Sequence, residues 1–258
     1  FQAHISFTNE EEVKGKRILK EFRVPQGSKF VCLMVRDSAY LDRYKSSTLQ
    51  NWSYNDYRDG DIDKYILAAE ELTRRGYYVF RMGVKVLKPL KSSNPKLIDY
   101  SNSEMRSAFM DIYLGAKCSF CISTLTGFDE IPTIFRKPIV YISVVPFDST
   151  FNIVTHDEKI LLTIKKHIHK KYKKELTISE IISSNVMGAG YTEKFGENDI
   201  ELQENNPEEI RDIVIEMDER LSGNWKETKE DLLFQKKFCF FFYLFNTFNS
   251  NNWVRHSP

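Results

Sequence analysis

Four short stretches of this sequence carry side chains that could hold an anion: Arg36-Asp37, Arg81 with Gly83, Asp99-Tyr100-Ser101, and Ser123-Thr124-Leu125-Thr126-Gly127. Arginine offers planar, paired donors that match phosphate oxygens. A glycine between a strand and a helix lets backbone amides approach an anion at the helix N-terminus. Hydroxyls from Ser123, Thr124 and Thr126 add further donors. Together this is chemistry for a pyrophosphate. Asp37 fits two roles, orienting the adjacent Arg36 guanidinium or acting as a base; we favour the first, because a neighbouring carboxylate orients a guanidinium well. Any one of these stretches alone reads equally as an ordinary turn. Their meaning comes from where the chain would place them.

Each stretch follows a predicted strand. Residues 30–35 form a continuous apolar run, Phe-Val-Cys-Leu-Met-Val, which fits a strand buried on both faces. Further strands are predicted at 77–80, 96–99, 118–122 and 139–142. Between them come a helix over 62–75, capped by Asp61 and ended by Gly76, a helix over 104–114, capped by Ser103 and stopped by Gly115, and a short helix over 128–135. A first helix spans 9–22. Residues 38–60 lack periodicity and read as a long loop, a common place for function; its Tyr54, Tyr57 and Arg58 could stack on a base or sugar, or pack among themselves. Strand–helix alternation of this kind predicts an α/β fold, a doubly wound parallel sheet. In such sheets ligands bind beyond the carboxyl ends of the strands, where all four stretches would meet.

After Pro146 the pattern weakens. A helix is expected over 177–182, a strand at 200–202 and a helix from Asn206-Pro207 to about 221, its start marked by a cap residue, proline and acids. A last helix from about 226 carries the Phe-rich stretch 238–245, too short to span a membrane. This divides the chain into a nucleotide-binding α/β domain, 1–225, and a C-terminal helix and tail, 226–258. The basic run that begins at Lys165 and ends at Lys174, with His167 and His169, reads as a solvated surface; its functional alternative is peripheral contact with an anionic membrane or an acidic glycan.

Bulk properties narrow the class. With 37 basic and 36 acidic residues, the chain has no field that would draw it to nucleic acid, and no nucleic-acid partner is expected. Four cysteines in 258 residues make no disulfide framework, which points to a reducing, cytoplasmic setting, with membrane association as the alternative. Cys118 and Cys121 fall in one predicted strand and would face opposite sides, which disfavours zinc or redox pairing. No Asp-x-Asp follows a strand, and Asp59-Gly60-Asp61 precedes a helix it would cap, so no metal site is expected. No secretory leader is visible, and the chain does not begin with Met, as a piece of a longer protein would not.

The segment from Ser123 to Ile139, including Arg136-Lys137-Pro138, resembles the donor-site signature of GT-B glycosyltransferases and UDP-sugar 2-epimerases. That likeness implies phosphate contacts at Thr126 and Gly127 and a ribose contact at Glu130 or Asp129. It departs in two places: Thr126 stands where a glycine is usual, and the acid comes about one residue early. A longer likeness links Val35 to Tyr40, Tyr57 to Asp59, Gly76 to Gly83, Ile98 to Ser101, Phe109 to Gly115 and the Ser123 motif to a family of bacterial proteins found with surface-polysaccharide genes and assigned as glycosyltransferases. Arg36 also matches the donor-phosphate arginine of fucosyltransferases that use GDP-fucose. The resemblance implies a metal-independent glycosyltransferase. A nucleotide-diphosphate sugar would be its donor substrate, with no separate cofactor, and a glycan or lipid-linked molecule its acceptor. Arg36 and Asp37 would stand at the reacting end. Arg81, Gly83, Ser123, Thr124, Thr126 and Gly127 would hold the diphosphate, and Asp99, Tyr100 and Glu130 the nucleoside. It also implies that an acceptor domain precedes this one or is reduced. The competing readings are a non-catalytic nucleotide-sugar or glycan binding module and a UDP-sugar epimerase.

Overall fold

Apolar runs bounded by turn residues become strands in the computed structural model, which describes residues 3–45, 52–150, 159–233 and 236. Six strands form one parallel sheet: β1 (Phe30–Met34), β2 (Tyr78–Arg81), β3 (Leu97–Ile98), β4 (Cys121–Ser123), β5 (Ile139–Val144) and β6 (Ile160–Ile164). Their order is β3-β2-β1-β4-β5-β6. The chain thus winds outward from β1 in one direction, then returns to β4 and winds the other way. The expected doubly wound parallel sheet is the architecture observed.

The period-two alternation of each strand feeds two cores. Val31, Leu33, Val79, Ile122, Val140 and Ile142 pack with Ala68, Ala69 and Leu72 of α3 (Ile66–Arg74) and with Ile210, Val214 and Met217 of a later helix, α8 (Pro207–Ser222). Phe30, Cys32, Phe80, Cys121 and Tyr141 form the opposite face, with Met110, Tyr113 and Leu114 of α4 (Ala108–Lys117) and Ile18 and Leu19 of α1 (Asn9–Glu21). Helices therefore cover both sides. Thr8 starts α1 through a reciprocal capping box with Glu11.

A smaller antiparallel sheet follows, in the order β8-β7-β9: β7 (Lys166–His169), β8 (Lys174–Glu175) and β9 (Ile200–Gln203). With it come α6 (Ile178–Ile182) and α7 (Thr192–Glu197). Its own core holds Val186, Phe195 and Ile200, together with Tyr57 from the region after β1.

Several expectations need correcting. Residues 38–60 are not a plain loop: they hold α2 (Ala39–Lys45) and a 3-10 helix (Ser53–Arg58), the latter fixed by contacts from the distant Lys165 and Thr192 rather than by local periodicity. The helix expected over 104–114 begins instead at Ala108, because Ser107 and not Ser103 caps it; Gly115 does not stop it but lies inside it, where a Cβ would come 2.7 Å from Ile131. Cys118 ends that helix rather than entering a strand, and Cys32, Cys118 and Cys121 all point into one apolar cluster as free thiols. Among the described residues, no group of three or more His, Cys, Asp or Glu side chains could hold a metal ion, and no helix is long and apolar enough to cross a membrane. The run 165–174 is not one solvated face: Lys165, just before β7, and His167 within it are buried, while Lys166 pairs with Glu209 at 2.5 Å and Lys174 of β8 with Glu180 at 2.6 Å.

The chain divides into two compact units, Phe1–Met217 and Asp218–Pro258. In the second unit Arg220 pairs with Glu227 and lies over the Trp225 ring. The Phe-rich stretch 238–245 and Cys239 lie outside the described residues.

Candidate functional site

Strand order reverses between β1 and β4, so the chain leaves these two neighbours in opposite directions and opens a crevice at their carboxyl ends. The Thr124 backbone N–H donates to the Met34 carbonyl at 3.2 Å, and the Arg36 N–H donates to the Thr124 hydroxyl at 2.8 Å, tying the two ends together. A cleft of about 450 Å³ lies above them. Its floor is apolar, from Met34, Met82, Leu125 and Phe128, and its polar lining is mixed in charge: Arg36, Arg58 and Lys85 with Asp37 and Asp111, together with Asn55, Gly83 and the Thr126-Gly127 turn. Polar groups set around an apolar floor are the usual make-up of a small-molecule site.

Arg36 leaves β1 with its guanidinium held on one side: Nη1 donates to the Asn55 carbonyl at 3.0 Å and pairs with the Asp59 carboxylate. The expected partner, Asp37, turns elsewhere. It accepts from the amides of Ala39 and Leu87, each at 3.0 Å, and lies 3.6 Å from Arg81. Burial pushes the Asp59 carboxyl up to about 6, against the opposing pull of Arg36.

The β4 turn is held in a conformation that a side chain rarely adopts. Leu125 has φ 63°, and its carbonyl accepts from Arg58 Nη2 at 2.8 Å. Such strain persists only where the surroundings over-determine it. Burial lowers the Arg58 pKa from its ordinary value. Arg58 thus reaches the cleft wall with one end of its guanidinium tied to the β4 turn.

Next in the turn, Thr126 makes a capping box with Asp129, whose carboxylate accepts from the Thr126 N–H at 2.7 Å and its hydroxyl at 3.2 Å. Burial pushes Asp129 up to about 6. The acid at this turn is thus consumed inside it. Glu130 is exposed on α5 (Glu130–Ile134) and does not line the cleft. A Cβ on Gly127 would meet no atom within 4 Å, so its backbone faces open space.

Gly83 forms the facing rim with φ +144°, and a Cβ there would come 2.8 Å from Val86. Its carbonyl accepts from Arg106 Nε at 3.0 Å, and Arg106 in turn pairs with Asp111, a cleft residue, at 2.6 Å. Arg106 therefore buttresses the rim from behind.

The remaining predicted residues lie elsewhere. Arg81 is fully buried: Nη1 donates to Ser101 Oγ at 2.8 Å, with Asp99 3.8 Å away, and it borders a separate cavity of about 280 Å³. Burial lowers its pKa despite the two neighbouring carboxylates. Asp99 is occupied by Ser101 Oγ and Asn102 Nδ2, both at 2.7 Å, and by the Leu90 amide at 3.0 Å. Tyr100 is a core residue whose hydroxyl donates to Asp111 at 2.9 Å; burial pushes its pKa up. Ser123 is buried within β4. Arg36, Gly83, Thr126 and Gly127 are therefore brought together with Asp37 at one edge, Thr124 ties the floor, and Arg81, Asp99, Tyr100, Ser123 and Glu130 are not part of the cleft wall. Tyr57 is inside the small core against Phe195, and Tyr54 packs beside Trp52. Sequence reasoning missed Asn55, Lys85 and Asp111, which line the cleft without any local signature.

No protein-family model, curated protein or solved structure matches this chain.

Proposed function

We propose that the chain binds a nucleotide-diphosphate sugar in this cleft and is the donor-binding part of a glycosyltransferase that moves the sugar to a glycan or lipid-linked acceptor. One observation carries the reading: two guanidinium groups, Arg36 and Arg58, and an open glycine turn converge on an apolar cleft where the strand order reverses. The guanidinium groups match a diphosphate. The apolar floor suits a base or ribose. In a transfer, Arg36 and Arg58 would stabilise the leaving diphosphate without a metal ion. The sequence resemblance described above supplies the sugar-transfer part of this reading.

Calorimetric titration of UDP-, GDP-, dTDP- and CMP-sugars tests it. A diphosphate donor should bind, and Arg36→Ala should weaken it by about tenfold or more, the worth of a charge-assisted hydrogen bond. Unchanged affinity in that variant sinks the proposal. A second reading is favoured by one feature. The acids around the cleft are all engaged: Asp37 with amides, Asp59 with Arg36, and Asp111 with Arg106. A module that binds the nucleotide sugar without transferring it fits that feature. Binding with no hydrolysis or transfer when acceptors are supplied would favour the module, and an epimerised sugar in the products would instead favour the epimerase.

A further inference from the structure

Lys165 lies at the junction of the two sheets, between β6 and β7, and is buried. Among the described residues it makes no direct ion pair. Its Nζ donates to two backbone carbonyls, Tyr57 at 2.9 Å and Asp59 at 2.7 Å. These bracket the end of the 3-10 helix that carries Asn55 and Arg58 into the cleft, and Asp59 is the partner of Arg36. A second clamp acts on the same helix: Thr192 Oγ1 accepts from the Tyr57 amide at 3.2 Å and lies 3.0 Å from the Tyr54 carbonyl. Tyr57 stacks near Phe195, with ring centroids 5.5 Å apart. A buried ammonium carries a desolvation cost that carbonyl dipoles only partly offset, so it is a demanding way to fill space. An aliphatic side chain would fill that space without the cost.

We propose that Lys165 is a positioning residue of the cleft: it holds the segment 53–59 so that Arg58 meets Leu125 and Asp59 meets Arg36. This rests on the reading of the cleft as a nucleotide-sugar site. The clamp comes from the small sheet, which makes that sheet part of the site's support.

The charged groups around the ammonium are Asp59 and Glu204 on the acidic side and Lys64 and Arg36 on the basic side, with His167 meeting the Lys165 carbonyl through Nδ1 at 2.9 Å. Burial pulls the Lys165 pKa down to about 8. The charged form makes the stronger clamp and adds positive potential near an anionic ligand. Affinity should therefore fall as pH rises through about 8.

The test compares wild type with Lys165→Met and Thr192→Val in two readouts, amide hydrogen exchange and calorimetric affinity for the best-binding diphosphate sugar from pH 7 to 9.5. In Lys165→Met, the Asp59 and Gly60 amides, which donate to Asp56 and Arg36 carbonyls, should exchange faster while β1 stays protected. Affinity should drop about tenfold and lose its alkaline fall. Thr192→Val, if Lys165→Met does not fold, should show the faster exchange and the weaker binding while keeping the alkaline fall. Unchanged exchange in the variants overturns the proposal, and so does affinity that matches wild type. If wild type binds no nucleotide sugar, the ligand reading fails, and exchange alone decides whether Lys165 holds the segment.

Discussion

Arg36 and Arg81 start from the same local pattern, an arginine at the end of a parallel strand, and end in opposite roles. Arg36 stands at the reversal of strand order, held on one side by Asn55 and Asp59, and borders the cleft. Arg81 stands one strand further out. Residues 82–99 fold back over it, and Asp37, Asp99 and Ser101 surround its guanidinium. A strand-end arginine is thus a ligand group or a structural knot according to its place in the sheet order.

The largest test of that contrast is Arg81→Ala. It leaves Asp37 and Asp99 beside a void and should cost about 3 kcal/mol of unfolding free energy in urea titration. Retained stability would show that the knot is not structural. Arg36→Ala should do the reverse, weakening donor binding by about tenfold or more while moving the urea midpoint far less than Arg81→Ala does.

The glycines sharpen the same comparison. Gly127→Ala meets open space and should change stability by less than about 0.5 kcal/mol while weakening ligand binding, since the methyl enters the anion's path. Gly83→Ala, at φ +144° and against Val86, should destabilise by about 1 kcal/mol or more. Equal effects in the two variants would erase the distinction between open turn and strained rim.

The smallest effect is one of pH. The Asp59 carboxyl stands at about 6 in the fold. An unfolded aspartate titrates near 3.9. The folded state thus holds a proton that the unfolded state has released, so this group's contribution to stability is present at low pH and is lost as pH rises through about 6. Asp129, also pushed up to about 6, acts in the same sense. A diphosphate arriving at Arg36 adds negative charge beside Asp59 and favours its protonated form. Affinity should therefore rise as pH falls through about 6, and Asp59→Asn should flatten that slope in titrations at pH 5 to 7.5. A wild-type profile without slope would separate Asp59 from the ligand.

Five of the sheet's six strands, β1 to β5, were legible from apolar runs bounded by turn residues; the half-buried edge strand β6 was not expected, because it falls where the strand–helix alternation weakens. Helix starts with a strong cap, such as Thr177 and Asn206, were legible too. Ser103 and Ser107 were not separable, since each is a hydroxyl followed by helix-compatible residues, and only packing chose Ser107. Arg81 misled because a charge at a strand end suggests solvent; its burial depends on carboxylates far away in sequence. Lys165, just before β7, and His167 within it were hidden by the neighbouring lysines, although their period-two spacing was the available sign that both turn inward. The cleft's Asn55 and Asp111 had no sign at all, because only the sheet order brings them near Arg36.

The clamp on residues 53–61 also sets an order of events during synthesis. Lys165 reaches Tyr57 across 108 residues, and Glu204 reaches the Asp61 amide across 143. A chain emerging from its N-terminus completes β1 and Arg36 early, yet the Tyr57 and Asp59 carbonyls wait for residue 165 and the Asp61 amide for residue 204. Contacts so distant in sequence form late, after the loop between them has closed. The strands can assemble before that point, but the cationic wall of the cleft matures last.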